Sequence, residues 1–503
     1  MRIMSFLIIA LLVMACGPKE GISNKPPTPT NTSPNTAIIT NGTPTAASSE
    51  TIIETTPPAK ADIQVEVSGM EDGPVLLIGY FETEQYRADS AYLKSGKIRF
   101  KKSPGYDQGY YFLYFANRAT FQLLLGEDQE FSVKTTANDW LFSTEINGSL
   151  DNKLFYENLR FQTDLSPRFQ EVTQQLQGQT PGTDAYNMLK GKQDQLAQER
   201  NNHLESLYAQ APKSLFTSFK RAGQNPDLRD LRTADGQVDE QAQLVAYRYD
   251  FWENVDLADK RLARTPVIIN KLKRYITELT PQNADSINAA TNFLVSKVDG
   301  RYPYYFKFFT NWIALNYQPT KTTLMDAEAV TVNIVKNYFT NEKAFWADAA
   351  TVQGLQQRAM EMGNSLVHQK GPDVVSTDPQ GKTRSIYEMK EPYIVVYMYN
   401  PECEHCQEET PILKAFADQN KGKVGVFAIA LDTDDTKWRN YIAKVGMQKF
   451  VNVYDPTNRS IYAKYYVDKT PEMYVLNRDR VIIGKNLKTD QVAQLIAMDE
   501  AAR

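Results

Sequence analysis

Two cysteines, Cys403 and Cys406, are the residues whose types and spacing point most directly to chemistry in this chain. They stand three residues apart in the motif Cys-Glu-His-Cys, and Cys16 is the only other cysteine. Two thiols at this spacing can exchange a disulfide, form an inert structural pair, or supply half of a zinc site. Zinc sites use about four ligands, and the sequence shows no second Cys/His cluster, so we expect no metal.

The elements around the pair alternate between strand and helix. An apolar run, Tyr393 to Tyr399, precedes Cys403, and a segment with helical character follows it. The pattern predicts strands at 393–399, 424–431 and 451–454, helices at 404–419, 436–445 and 458–466, and a hairpin at 472–485. Such alternation predicts an α/β sheet with helices on its faces.

Four features of this part stand out: Gly371-Pro372-Asp373, the CxxC pair after the first long strand, Pro411, and Thr470-Pro471 before a strand. Together they resemble the thioredoxin superfamily, and most of all its membrane-tethered TlpA/ResA-type branch. The resemblance implies a thioredoxin-like domain over residues 364–503 and a cis peptide bond before Pro471, next to the cysteines. Proline lacks a backbone N–H, which suits a groove where a substrate strand pairs with the Thr470 backbone.

The predicted helix gives each thiol a role. Cys403 is expected at the helix N-terminus, where unpaired N–H groups and the helix dipole favour thiolate over thiol. We predict that Cys403 is the nucleophile that attacks a disulfide in a partner protein. Cys406, one helical turn further on, is predicted to resolve the mixed disulfide. We predict no cofactor, and we expect a membrane electron donor or acceptor as a second partner.

The two residues between the cysteines act on the redox couple in opposite directions. Glu404 places negative charge near the thiolate, whereas a protonated His405 would favour it. A Glu in the first place resembles reductive tethered members, and a His before the second cysteine resembles the DsbA-type oxidant. The direction stays open, with reductase slightly favoured over oxidase. Tyr397 stands where cytoplasmic thioredoxins carry a buried acid, so we assign no proton-relay carboxylate.

The first sixteen residues indicate export. Arg2 precedes an apolar stretch at 3–13, which is shorter than the roughly 18 to 20 residues that span a bilayer. Val13-Met14-Ala15-Cys16 resembles the lipobox of bacterial lipoproteins, which implies a signal peptide over residues 1–16 and lipid on the Cys16 thiol. An ordinary secretory peptide is the alternative. We predict a lipid-anchored protein of the bacterial envelope that faces the periplasm, with the outer membrane or cell surface also open.

Composition and length describe a multidomain globular chain. The 503 residues suggest about two to four domains. Hydrophobic content of 42% and a net charge of −4 are typical of soluble proteins and leave no basic excess for nucleic-acid binding. Residues 17–61 are rich in Thr, Pro, Asn and Ser, cannot bury enough apolar surface to fold, and are predicted to form a disordered tether.

Between the tether and the thioredoxin-like part, the pattern changes once. Residues 62–150 alternate apolar and polar positions between turn signals, which predicts an antiparallel β-rich domain. Residues 151–363 follow a helical period, which predicts an all-helical domain. The first region resembles a β-rich domain of unknown function found ahead of thioredoxin-like domains in some envelope lipoproteins. Within the second region, the stretch from Arg261 to Ala329 resembles a second uncharacterised domain that accompanies thioredoxin-like domains. We predict buried packing for the aromatic-rich segment Tyr302 to Tyr317, and surface positions for His203 and His368.

A different class of function stays open beside disulfide exchange. The chain outside 364–503 is long enough to be the working part of a binding or scaffold lipoprotein. In that alternative, the β and helical domains bind a partner or a glycan, and the thioredoxin-like domain is accessory.

Overall fold

The computed structural model describes residues 52–454 and 464–502. Its first part is built from eight strands. They are β1 (Ala61–Ser68), β2 (Gly73–Phe81), β3 (Glu84–Leu93), β4 (Lys97–Lys102), β5 (Gly109–Phe115), β6 (Thr120–Leu125), β7 (Glu130–Thr136) and β8 (Glu145–Asn147). They form two four-stranded sheets, ordered β4-β1-β7-β8 and β3-β2-β5-β6.

Alternation along the strands explains this part of the fold. In β1, Ile63, Val65 and Val67 are buried while the residues between them are more exposed, so one face of the strand packs on the core. Every strand pair in the two sheets is antiparallel except β1 with β7, which is parallel. The chain passes through β5 and β6 of the other sheet before β7 joins β1, so no hairpin fixes those two strands as antiparallel.

The structure differs from the tether prediction at the tether's last residues. The Ile53 N–H donates to the Ala258 carbonyl at 3.0 Å, and the Lys260 N–H donates to the Ile53 carbonyl at 3.0 Å. The Gly105 N–H donates to the Pro58 carbonyl at 2.8 Å, and β1 begins at Ala61. Polar composition predicted disorder through residue 61, but backbone hydrogen bonds to distant residues hold 52–60. The predicted tether before Ile52 and the signal peptide lie outside the described residues.

Nine helices follow in the described middle of the chain. They are α1 (Leu150–Gln177), α2 (Asp184–Gln210), α3 (Leu215–Ala222), α4 (Glu240–Asp250), α5 (Pro266–Lys273), α6 (Ala284–Ser296), α7 (Pro303–Asn316), α8 (Ala327–Tyr338) and α9 (Ala349–Met362). Side-chain caps start most of them: Ser149 accepts the Asn152 N–H in α1, and Asp326 accepts the Ala329 N–H in α8. Helix α7 carries the aromatic-rich segment, and its Phe309 is fully buried, which confirms the predicted packing.

The last part alternates strands and helices. Its strands are β9 (Val375–Thr377), β10 (Thr383–Ser385), β11 (Tyr393–Tyr399), β12 (Val424–Ala430), β13 (Val451–Tyr454), β14 (Glu472–Leu476) and β15 (Ile482–Lys485). Its helices are α10 (Glu404–Gln419), α11 (Asp435–Val445) and α12 (Thr489–Ala501). Strands β13, β12 and β11 run parallel, β14 and β15 are antiparallel to their neighbours, and the sheet order is β13-β12-β11-β14-β15.

This mixed sheet confirms the predicted α/β class and most of its elements. All seven residues of β11 are buried, because apolar clusters cover both faces of the sheet. The sequence pattern does not predict the short hairpin β9–β10 or the final helix α12. The predicted helix at 458–466 falls mainly on residues outside the described part.

The described middle and last parts of the chain belong to one compact unit, Thr40–Arg503. A buried ionic contact joins α8 to β15, and α9 contacts the segment before β14. Within the described ranges, none of the helices combines the length and apolar character needed to cross a bilayer.

Candidate active site

Cys403 lies between the end of the central strand β11 and the start of helix α10. Strand β11 ends at Tyr399, and a tight turn follows in which the Cys403 N–H donates to the Asn400 carbonyl at 3.1 Å. Cys403 is the N-cap residue of α10, with extended backbone angles, and Cys406 lies in the first turn of that helix. The placement of Cys403 at a helix N-terminus agrees with the expectation from the sequence.

The Cys403 sulfur contacts both the backbone of α10 and Thr470. The Cys406 N–H donates to the Cys403 sulfur at 3.3 Å, so the thiol takes the part that an oxygen plays in an ordinary N-cap. The Cys403 thiol donates to the Thr470 carbonyl at 3.3 Å. Both cysteines carry free thiols in this structure.

The surroundings separate the acidities of the two thiols. At Cys403, burial opposes ionisation, but hydrogen bonds from Cys406, the Thr470 side chain and the His405 backbone outweigh it and hold the pKa below its usual range. At Cys406, burial and, second to it, the neighbouring Cys403 together raise the pKa to about 12. Cys403 is half-buried and Cys406 is fully buried, so the more acidic thiol is also the accessible one.

A cluster of hydroxyl groups lies behind Cys406. The Thr410 hydroxyl lies 2.8 Å from the Tyr397 hydroxyl and 2.9 Å from the Tyr441 hydroxyl. Thr410 donates to the Cys406 carbonyl at 2.6 Å, and Tyr441 donates to the same carbonyl at 3.2 Å. The sequence places Tyr397 where cytoplasmic thioredoxins carry a buried acid, but it does not point to Thr410 or Tyr441. Thr410 follows Cys406 by one helical turn, which is a local signal, whereas Tyr441 comes from α11 and has no sequence signal.

Glu404 and His405 both face solvent. The His405 side chain is 80% exposed, and its Nδ1 lies 3.5 Å from the Glu408 carboxylate, one turn further along α10. Solvent screens a charge in such a position, and a neighbouring carboxylate offsets it. The His405 backbone, rather than its ring, helps to lower the pKa of Cys403.

Thr470 and Pro471 form the opposite wall. The peptide bond between them is cis, and both residues are half-buried. The structure thus brings together Cys403, Cys406, Thr470 and Pro471 from two distant stretches of the chain.

The other residues predicted from the sequence lie elsewhere. Cys16 falls outside the described residues. His368 is exposed, as predicted, whereas His203 is half-buried and stacks on Phe161 with ring centroids 3.8 Å apart. Across residues 52–454 and 464–502, no group of three or more His, Cys, Asp or Glu side chains could hold a metal ion.

Two family models match the chain. Residues 391–482 match a model described as thioredoxin-like, and residues 62–155 match a domain of unknown function, DUF4369. The thiol-disulfide oxidoreductase ResA of Bacillus cereus is 24% identical over 164 residues, which are 31% of this chain and 83% of that protein. ResA of Bacillus anthracis is 26% identical over 156 residues, covering 30% of this chain and 81% of its own.

A solved structure is also similar. A thioredoxin-like protein from Bacteroides caccae is 17% identical, with a TM-score of 0.44, over 55% of this chain and 98% of its own. The family model and the ResA relatives, taken with the fold of residues 364–454 and 464–502, make this part a thioredoxin-like domain of the TlpA/ResA type. They support thiol-disulfide oxidoreductase activity for the chain.

The difference in pKa between the two thiols predicts that Cys403 is alkylated selectively. In the reduced protein at pH 8, iodoacetamide is expected to modify Cys403, with a pH midpoint below 9.0, the ordinary value for a cysteine. Cys406, with a pKa of about 12, holds only about one thiolate in 10⁴ molecules at that pH and is expected to stay unmodified. Peptide mapping by mass spectrometry reports each cysteine separately. Equal modification of the two thiols would contradict the assigned environments.

Proposed function

We propose that this chain exchanges disulfides with proteins of the cell envelope through Cys403 and Cys406. The observation that carries the proposal is the Cys403 sulfur, which is half-buried, accepts a helix N-terminal N–H and lies against Thr470. The Cys403 thiolate attacks one sulfur of a partner disulfide. A new sulfur–sulfur bond forms between Cys403 and the partner, and the partner's other sulfur leaves as a thiolate.

Cys406 completes the exchange. Its thiolate attacks the Cys403 sulfur, the Cys403–Cys406 disulfide forms, and the partner's second sulfur leaves, so that two electrons have passed to the partner. Burial keeps Cys406 protonated in the resting protein, and the Cys403 sulfur adds to this. Once Cys403 is bonded to the partner, it carries no charge, so its own contribution to the raised pKa of Cys406 disappears. Cys406 therefore becomes more reactive at the stage when it is needed.

Thr470 and Pro471 serve as the docking wall for the partner. Both are half-buried beside Cys403, and Pro471 has no N–H to present to an incoming chain. A partner strand can pair with the Thr470 backbone while its disulfide faces Cys403. Thr470 therefore has two tasks, because its carbonyl also accepts the Cys403 thiol in the resting state.

We favour the reductive direction. A strongly oxidising couple needs a thiolate stabilised by nearby positive charge, and the residue that could supply it is His405. Its ring is exposed and lies beside Glu408, while Glu404 adds negative charge at the same helix end. The protein therefore needs a source of electrons, and we assign this role to a membrane-bound dithiol donor.

Replacement of the resolving cysteine is expected to trap partners. In Cys406→Ala, the Cys403–partner disulfide forms but cannot be released, so adducts should appear on non-reducing gels and disappear with dithiothreitol. Cys403→Ala/Cys406→Ala is the matched control and should give no adducts. If Cys406→Ala gives none either, or if the control gives the same ones, the proposed exchange is wrong.

The reduction potential tests the direction. Equilibration of the purified protein with glutathione should give a two-electron couple below about −230 mV, in the range of reducing thioredoxin-like proteins. A value near about −120 mV would instead identify an oxidant. Because His405 is exposed, His405→Gln should leave the potential almost unchanged, and a large shift in this variant would refute the argument from its position.

We also propose that Cys16 carries a lipid that holds the protein at the envelope, with the thioredoxin-like domain facing the periplasm. The proposal rests on the lipobox-like Val13-Met14-Ala15-Cys16. Labelled palmitate is expected to be incorporated into the wild-type protein but not into Cys16→Ser, and Cys16→Ser should leave the membrane fraction. Labelling that persists in Cys16→Ser would rule out this anchor.

A further inference from the structure

The helical part of the chain contacts the segment that leads into Thr470. Arg358, on α9, donates from Nη2 to the Tyr466 hydroxyl at 2.7 Å and from Nε at 3.2 Å. The same guanidinium group lies 3.7 Å from the Asp468 carboxylate, two residues before Thr470. A side chain of the helical part therefore holds the start of the loop 466–471.

Backbone contacts of Tyr466 reinforce this attachment. Its N–H donates to the hydroxyl of Ser365, which follows α9, at 3.1 Å, and its carbonyl accepts the Tyr474 hydroxyl at 2.6 Å. Ser365 is fully buried. Its carbonyl lies 3.4 Å from the Lys485 ammonium group, which links this contact to a second one on the far side of Pro471.

The second contact is a buried ionic group that joins α8 to β14 and β15. Lys485 is fully buried, and its Nζ lies 3.3 Å from Glu328 and 3.9 Å from Asp326 at the start of α8. Glu472, the residue after Pro471, is 97% buried beside them; burial raises its pKa to about 8, Lys485 opposes this, and Glu328 adds to it.

These contacts hold the loop on both sides of Thr470. Arg358 and Ser365 fix the residues before it, and Glu328, through Lys485, faces the residue after Pro471. Buried ion pairs are costly to break because one charge is then left without a partner. The position of Thr470 relative to the cysteines is therefore set partly by residues that lie more than a hundred positions earlier in the chain.

We propose that helices α8 and α9 clamp the Thr470–Pro471 loop against Cys403, so that Arg358 and Glu328 are positioning residues for disulfide exchange although neither belongs to the thioredoxin-like domain. The inference rests on the proposed function of Cys403 and assigns a task to the helical part. Its physical link is Thr470, whose carbonyl accepts the Cys403 thiol and whose side chain helps to stabilise the ionised form of both cysteines.

Arg358→Gln in the full chain is the sharpest test. The Arg358 side chain is 53% exposed, and exposed ion pairs contribute little to folding, so the variant is expected to fold normally. A loosened loop moves Thr470 away from Cys403, so the thiol loses the Thr470 carbonyl as its acceptor. Alkylation of Cys403 at pH 7 should therefore change by about threefold or more, with its pH midpoint displaced, and the glutathione equilibrium should shift with it.

Four further variants separate positioning from a general effect on the fold. Asp468→Asn and Glu328→Gln should shift Cys403 in the same direction as Arg358→Gln, and Arg358→Gln/Asp468→Asn should do no more than the larger single change. Arg168→Gln is the matched control, because Arg168 makes an exposed ion pair with Glu199 at 2.8 Å, away from the loop. Arg168→Gln should leave Cys403 unchanged.

The outcomes are distinguishable. If Cys403 is alkylated at the wild-type rate in both Arg358→Gln and Asp468→Asn, or if Arg168→Gln changes that rate equally, the clamp is wrong while the exchange chemistry stands. If the wild-type protein itself shows no reversible dithiol couple, the proposed function fails before the clamp is tested.

Discussion

One hydrogen bond organises the chemistry of this chain: the Cys406 N–H donates to the Cys403 sulfur. A helix leaves its first N–H groups without partners, and here a sulfur takes the place of the usual capping oxygen. The same contact starts α10, favours the thiolate form of Cys403 and places Cys406 one turn behind it. It depends on β11, whose seven buried residues fix the point where the chain turns. The same hydrogen bond thus both caps α10 and favours the reactive thiolate of Cys403.

Patterns in the sequence predicted the elements whose formation depends on neighbouring residues along the chain. The apolar run of β11 and the helical segment after Cys403 were recognisable because burial and period are visible in a short window. Hairpin β9–β10 was missed because three-residue strands carry almost no pattern, and hydrogen bonds to residues far along the chain hold 52–60 despite their polar composition. The parallel pairing of β1 with β7 is likewise a property of the whole sheet.

The residues of the candidate site also fall into two groups, those that the sequence predicts and those that only the fold reveals. Cys403, Cys406 and the Thr470-Pro471 wall could be named from motifs, since each sits in a recognisable local context. Arg358 and Glu328 could not, because an exposed arginine and a helix N-terminal glutamate are ordinary residues until the fold sets them beside the loop. Contacts between distant segments are decided by packing, and one sequence alone does not display them.

The hydroxyl cluster of Tyr397, Thr410 and Tyr441 has a consequence for how the redox couple senses its surroundings. Burial raises the pKa of Tyr397 and of Tyr441 above the usual tyrosine value, so these groups stay neutral at neutral and acidic pH. A carboxylate in their place would gain and lose a proton as the pH changed. Behind Cys406, the cluster offers polarity without charge, so it adds no pH-dependent charge to the redox couple.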